Sequence, residues 1–270
     1  MTAPEPITML ADAIAARFPG TQAVIFYGAA HRRDPSSGLP DFYAVVAGYP
    51  QAHRTRLAAL ANALLPPNVY HLTAGGRRAK VAVVSTRHFQ RDCGPHARDI
   101  SLLARMAQPV RVVRCTPAFE PWLRAGLAHA QRTLLAHTLP LLPPDTPPSA
   151  VWENALARSY GCELRAESSG RASAIIAADP MHFAATPAVP LPSAATARRW
   201  WRRMRRRGKL FSVLRLLKAS FTYTGGLDYL ADKISRHSGA TVIIRPWMRR
   251  VPMLAGLILA PRLWLQGAIR

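Results

Sequence analysis

Leu10, Ile14 and Phe18 recur at i, i+4 and i+8, which predicts an amphipathic helix over residues 6 to 18, stopped by Pro19-Gly20. The period then changes. Ala23 to Tyr27 is a short apolar run ending at Gly28, residues 31 to 40 are polar, and Asp41 to Val46 is a second apolar run that opens with a carboxylate. Both runs predict buried strands. Residues 51 to 65 return to helical spacing and end at Pro66-Pro67, because a residue before proline is pushed out of the helical region. Val69 to Leu72, the Gly75-Gly76 pair and Lys80 to Ser85 predict two strands joined by a turn. A helix over 97 to 107 and a strand over Val110 to Val113 complete an α/β pattern with strands of mixed direction, ending near residue 115.

Beyond that point the spacing is helical. Pro121 to His137 and Val151 to Tyr160 are the predicted helices, separated by the Pro-rich connection TLPLLPPDTPPS at 138 to 149. Residues 183 to 197 form an Ala/Pro/Thr/Ser linker, and 198 to 219 a basic stretch that turns apolar at Leu216-Leu217. No internal repeat is present.

Charge changes this picture. Lys and Arg total 36 against 14 Asp and Glu, a net charge of +22, and only Lys80, Lys209, Lys218 and Lys233 are lysines. Arginine is the cation whose planar fork suits phosphate, so a phosphate-rich partner is expected. A hydrophobic content of 49% against 19% charged residues excludes general disorder. Cys93, Cys115 and Cys162 form neither a CxxC pair nor an even framework, which fits free thiols in a reducing cytoplasm. The first residues, with Glu5 and Asp12, do not read as a signal peptide, and the apolar run from Pro252 to Pro261 falls short of the ~20 residues of a spanning helix. No transmembrane span is expected.

A glycine after a buried strand lets a ligand approach the backbone, and amides at the following helix start can receive phosphate oxygens. Gly28, Ala29 and Ala30 occupy those positions, and Asp41, thirteen residues on, could hold a divalent ion against a triphosphate. This glycine turn followed by an acidic strand resembles the polymerase-beta-type nucleotidyltransferases. Two features depart from that layout: Ala29 has no hydroxyl, and Tyr43 stands where a second carboxylate is usual.

The segments FYGAA (26 to 30) and LPDFYAVV (39 to 46), with His53 twelve residues beyond Asp41, resemble the mitochondrial-type phosphatidate cytidylyltransferases, also called the mitochondrial translocator assembly and maintenance family. The order continues with KVAVVST (80 to 86), ARMAQPVRVV (104 to 113) and SYGCELR (159 to 165), which look like that family's strand ending in ST, its AGRLQKPV segment and its SYSGDFR segment. The resemblance implies a nucleotidyltransferase domain with a mixed sheet over 1–116, a helical, winged-helix-like domain over 117–244, and an amphipathic membrane-associating tail over 245–270. It also implies an activity: CTP and phosphatidic acid would give CDP-diacylglycerol and pyrophosphate, with Mg²⁺ held by Asp41. Lys80 and Arg105 are candidates for the triphosphate, Glu163 for the second acid, and His53, Tyr160 and Arg165 for the substrate. GAA in place of GSG and Gln108 in place of a cation are departures that bear on triphosphate binding.

RRWWRRMRRRGK (198 to 209) carries eight cations in twelve residues, a density that calls for a polyanion. Nucleic acid and an anionic membrane compete for it. The tail RPWMRRVPMLAGLILAPRLWLQGAIR combines an apolar centre with Trp247, Arg249, Arg250 and Trp264, the makeup of an interfacial anchor. Arg198, Trp200, Trp201 and Arg202 are then expected on the same lipid surface, and the reading moves from nucleic acid to a peripheral enzyme on the cytoplasmic membrane face. Its rivals are a nucleotidyltransferase acting on another lipid phosphate or nucleotide, and a non-catalytic nucleic-acid-binding protein of the same fold.

Overall fold

The computed structural model describes residues 5–32, 38–163 and 170–222. Arg165, Trp247, Arg249, Arg250 and Trp264 lie outside the described residues. Strands β1 (Thr21–Tyr27), β2 (Asp41–Val46), β3 (Asn68–Ala74), β4 (Arg77–Ser85) and β5 (Arg111–Cys115) form one sheet in the order β3-β4-β2-β1-β5. β2 and β4 are parallel, and the other neighbours are antiparallel. The protein is thus an α/β structure with a five-strand mixed sheet and a helical C-terminal part.

The central strands are continuous apolar runs because both sheet faces are covered. Alternation along each strand divides them. Val24, Phe26, Phe42, Ala44, Val81 and Val83 point to a layer made by α1 (Pro6–Arg17), α2 (Ala29–Arg32), α3 (Tyr49–Ala52) and α4 (Arg56–Leu64), where Ile7, Leu10 and Ile14 of α1 are fully buried. Ile25, Tyr43, Val45, Ala82 and Val84 point to the opposite layer, built by α5 (Thr86–Asp92), α6 (Ile100–Met106), α7 (Glu120–Ala136), α8 (Pro148–Tyr160), α9 (Arg171–Ala178) and α10 (Ala194–Thr222). One continuous core therefore joins the sheet to the helical part.

The helix expected over 51 to 65 is two helices. α3 ends at Ala52, His53 is extended (φ −115°, ψ 142°), and Thr55 restarts the chain as an N-cap by accepting the Ala58 amide at 3.2 Å. The break turns His53 inward. Its Nε2 accepts from Asn62 Nδ2 (2.9 Å) and its Nδ1 meets the Tyr70 hydroxyl (3.0 Å), while Asn62 also donates to Val83 O and accepts from Asn68 N. Every polar atom of this buried amide has a partner, so His53 is a structural link in the α1–α4 layer and not a residue on a helix surface. Burial first, then Arg17 and Lys218, lower its pKa and keep the ring neutral.

A second correction concerns the paired tryptophans. On α10 residues 197, 200, 201, 204 and 208 fall on one face, and Ala197, Trp200, Trp201, Met204 and Gly208 are all buried. Trp201 Nε1 donates to His137 O at 2.8 Å, and Trp200 stacks on the His137 ring at 4.2 Å. Trp200 and Trp201 are core residues, unavailable to a lipid surface, whereas Arg198 and Arg202 are exposed.

Gly208 sets how closely α10 approaches the end of α8. A Cβ there would stand 2.3 Å from the Cys162 carbonyl oxygen, a backbone atom with no freedom to rotate away. Gly208→Ala is expected to lower the unfolding free energy in urea by about 1–3 kcal/mol despite the better helix propensity of alanine; an unchanged midpoint would show that the two backbones separate freely.

A pH dependence follows from His88. Its Nδ1 accepts from the Tyr49 hydroxyl (2.7 Å), which itself accepts the Ser85 amide, and burial followed by Arg91 pulls the ring from the ordinary 6.5 down to about 4. The folded state favours the neutral ring, so this stabilisation is complete above pH 6.5 and is lost as pH falls from 6.5 towards about 4. Unfolding free energies measured across that window should fall for the wild type and fall less steeply for His88→Gln.

Candidate functional site

Parallel pairing of β2 with β4 places Asp41 beside Lys80, with Nζ 3.6 Å from Oδ1. Tyr27, the last residue of β1, pairs in register with Asp41 on the other side. Gly28 then turns the chain at φ +89°, and a Cβ at that position would lie 3.1 Å from Asp41 Oδ2. Glycine is needed there twice over, for the left-handed backbone and for the carboxylate packed against it.

Asp41, Tyr43, Lys80 and Ala82 share the sheet face that looks toward the helical part. Three elements close over it. From α6, Arg105 donates to Glu163 Oε1 (3.0 Å) and Oε2 (3.4 Å) and to Ser101 Oγ (2.7 Å). Glu163 stands three residues past the end of α8, and this two-bond fork is the geometry in which arginine holds a carboxylate most firmly. From α10, Arg215 donates to Asp99 Oδ2 (2.6 Å) and Pro66 O (2.8 Å), and Lys218 donates to Pro67 O (3.0 Å) and Asn68 Oδ1 (2.9 Å). These bonds pin the end of α10 on the turn between α4 and β3.

The result is an open cavity of ≈ 250 Å³ walled by Tyr27, Tyr43, Lys80, Arg105, Glu163 and Arg215, with Ser101 and Ser212 adding hydroxyls. It is just below the ~300–1,000 Å³ range of small-molecule sites, enough for a phosphate-bearing head while the rest of a ligand stays outside. Three cations face it from β4, α6 and α10, and the tilted pair of Tyr27 and Tyr43 (centroids 4.8 Å apart) supplies an aromatic wall. Burial, ahead of any neighbouring charge, raises the Tyr43 pKa, so the phenol where a second acid would stand stays neutral.

Comparison with protein-family models and with curated proteins gives no match.

Lys80, Arg105 and Glu163, far apart in sequence, share this cavity, and Asp41 stands at its rim through Lys80. Ala29 is exposed at the turn beside Asp41, whereas Ala30 is buried in the opposite layer. His53 belongs to that opposite layer too. Tyr160 is buried in the core with its hydroxyl 3.4 Å from Gln108 Oε1 and Arg171 over its ring, and it does not line the cavity. Both were expected to touch substrate; the structure places His53 on the other side of the sheet and Tyr160 outside the cavity lining. Arg215, Tyr27 and Ser212 are wall residues that the sequence reading missed. The signal for Arg215 is its place two turns beyond Gly208, on the helix face that buries Ala197, Trp201 and Met204.

Among the described residues no three His, Cys, Asp or Glu side chains gather as a metal cluster. Magnesium needs less: one or two carboxylates, with substrate phosphates and water completing its shell. Asp41, whose side chain is 31% exposed, fits that requirement at the rim. Glu163, with both oxygens engaged by Arg105, fits it poorly.

The two acids should behave differently on substitution. Glu163→Gln leaves a little-exposed guanidinium without its counter-charge and should lower stability by about 3 kcal/mol. Asp41→Asn breaks a solvent-screened pair and should cost less than about 1 kcal/mol. Urea unfolding at neutral pH reads both; equal losses would contradict the assigned burial.

Proposed function

We propose that the protein is a nucleotidyltransferase that joins CTP to phosphatidic acid at an anionic membrane surface, forming CDP-diacylglycerol and releasing pyrophosphate. In this reading the sheet with its Gly28 turn is a polymerase-beta-type nucleotidyltransferase domain, and the helical part is winged-helix-like. The observation that carries the reading is the convergence of Lys80, Arg105 and Arg215 on one cavity whose rim bears Asp41 beside a glycine turn. The specific substrates, CTP and phosphatidate, come from the motif resemblance. Among the described residues no helix is long and apolar enough to cross a membrane; peripheral attachment on the cytoplasmic face comes from the motif resemblance and the composition of the tail.

Nucleotidyl transfer depends on positioning and charge neutralisation more than on covalent help. A phosphatidate oxygen attacks the α-phosphorus of CTP, and the bond to the β-phosphate oxygen breaks. Lys80 and Arg215 meet the phosphate charge, and the amides of the 28–30 turn receive phosphate oxygens at the rim. Arg105 is held in place by Glu163 and presents a fixed cation; Glu163 orients it and does not serve as a base, since phosphatidate is already ionised. Asp41 would hold Mg²⁺, which when bound supplies further neutralisation of the phosphates.

A second reading is binding without turnover. It draws on two observations: Tyr43 stands where a second strand acid is expected, and Asp41 at the rim is paired with Lys80. Incubation with labelled CTP, Mg²⁺ and phosphatidate vesicles separates the two. Labelled CDP-diacylglycerol is expected from wild type, and about a hundredfold less from Asp41→Asn. Arg215→Gln should weaken CTP binding about tenfold in calorimetry. Mg²⁺ should tighten CTP binding to wild type and not to Asp41→Asn. CTP binding with no product from wild type would establish the second reading; no CTP binding at all would remove both.

A further inference from the structure

α4 presents an apolar face that no element among the described residues covers. Leu57, Leu60 and Leu64 stand at i, i+3 and i+7 and are 77%, 56% and 66% exposed. Scattered exposed leucines are ordinary, but three on one stripe of a nine-residue helix are a patch. Arg54 and Arg56 are exposed at its start.

α10 carries a matching pattern on its outer face. Arg199, Arg203 and Arg206 lie at i, i+4 and i+7, and the same stripe continues at i+11 and i+15 with exposed Leu210 and Leu214. Among the described residues none of the arginines between 198 and 207 pairs with a carboxylate. The ends of the two helices meet where Lys218, one turn beyond Leu214, donates to the carbonyl of Leu65, the residue after Leu64. The same turn leads into the site: Pro67 and the exposed Val69 line the cavity.

We infer that the leucine stripe of α4 and the arginine–leucine stripe of α10 form one docking face for an anionic phospholipid surface, with the arginines on headgroup phosphates and the leucines in the acyl boundary. Nucleic acid would use the arginines but give the leucines no partner, and a second copy of this chain would oppose arginine to arginine. A lipid surface uses both halves. The inference rests on the membrane reading of the function for its setting and adds a face in the described helices, distinct from the tail at 245 to 270.

Sedimentation of the full-length protein with phosphatidylcholine vesicles, with and without phosphatidylglycerol, tests it. Wild type should partition onto the anionic vesicles only. The triple variants Leu57→Ser/Leu60→Ser/Leu64→Ser and Arg199→Gln/Arg203→Gln/Arg206→Gln should each reduce that partition by about tenfold or more, with unfolding curves unchanged because the sites are exposed. Unchanged partition in either variant overturns the face. So does loss of RNA gel shift, or of a dimer in light scattering, with vesicle binding retained. CTP affinity, measured alongside, separates the two claims: vesicle binding lost only in the variants with CTP affinity constant supports the face, whatever the transferase assay returns.

Discussion

At Gly208 the backbone of α10 lies against the Cys162 carbonyl, and this contact fixes the position of a 29-residue helix that serves three environments. Its first half buries Trp200, Trp201 and Met204 and shows arginine outward. Its second half delivers Arg215 to the cavity and Lys218 to the α4–β3 turn. Cys162 immediately precedes Glu163, so the same close approach that seats α10 also sets the acid that holds Arg105. A side chain at 208 would push on the backbone that supports the site's firmest ion pair.

The cavity's charges form a balanced set. Lys80, Arg105 and Arg215 stand against Asp41, Glu163 and Asp99, so its walls are near neutral although the chain as a whole is strongly basic. In the proposed reaction an entering phosphate would therefore compete for cations already engaged. The pairs differ in how readily they yield. Lys80 and Asp41 are 3.6 Å apart and partly solvated, whereas Arg105 holds Glu163 by two bonds with little exposure. Exchange is expected first at Lys80, which frees Asp41 for a cation, while Arg105 and Glu163 keep their geometry.

Strand pattern was the most legible part of the sequence. β1, β2 and β4 are runs of apolar residues whose ends fall where the glycine turn, Asp41 and Ser85 stop them. The helix break at His53 was hidden, since QAHRTRLAALANALL keeps helical spacing throughout and only the partnership of His53 with Asn62 and Tyr70 reveals the turn. α5 escaped notice because seven residues carry too few apolar positions to show a period, although Ser85 caps it by accepting the His88 amide. For the candidate site, Asp41, Lys80, Arg105 and Glu163 could be singled out by charge and motif, but their pairing is set by sheet register and by helices far along the chain. The run RRWWRRMRRRGK misled most. Read as a line, it is a cationic patch with aromatics; wound at 3.6 residues per turn, it separates into a buried tryptophan face and an exposed arginine face.

Under the proposed function, that separation bears on which polyanion the surface would suit. With Trp200 and Trp201 buried, no aromatic ring of this run is left to stack on bases, so the single-stranded nucleic-acid mode loses its stacking platform. The remaining outer residues are arginines followed along the same stripe by leucines, and α4 adds three more leucines beside the turn that opens into the cavity. Arg206 and Arg215 are nine residues apart on one helix, about 14 Å of rise. They lie on opposite sides of it. A phosphate held on the outer face cannot reach Arg215 through the helix, and has to pass its edge, along Leu64, Pro67 and Val69. An apolar edge of that kind favours a phosphate carried on an acyl chain over one carried on a polar backbone.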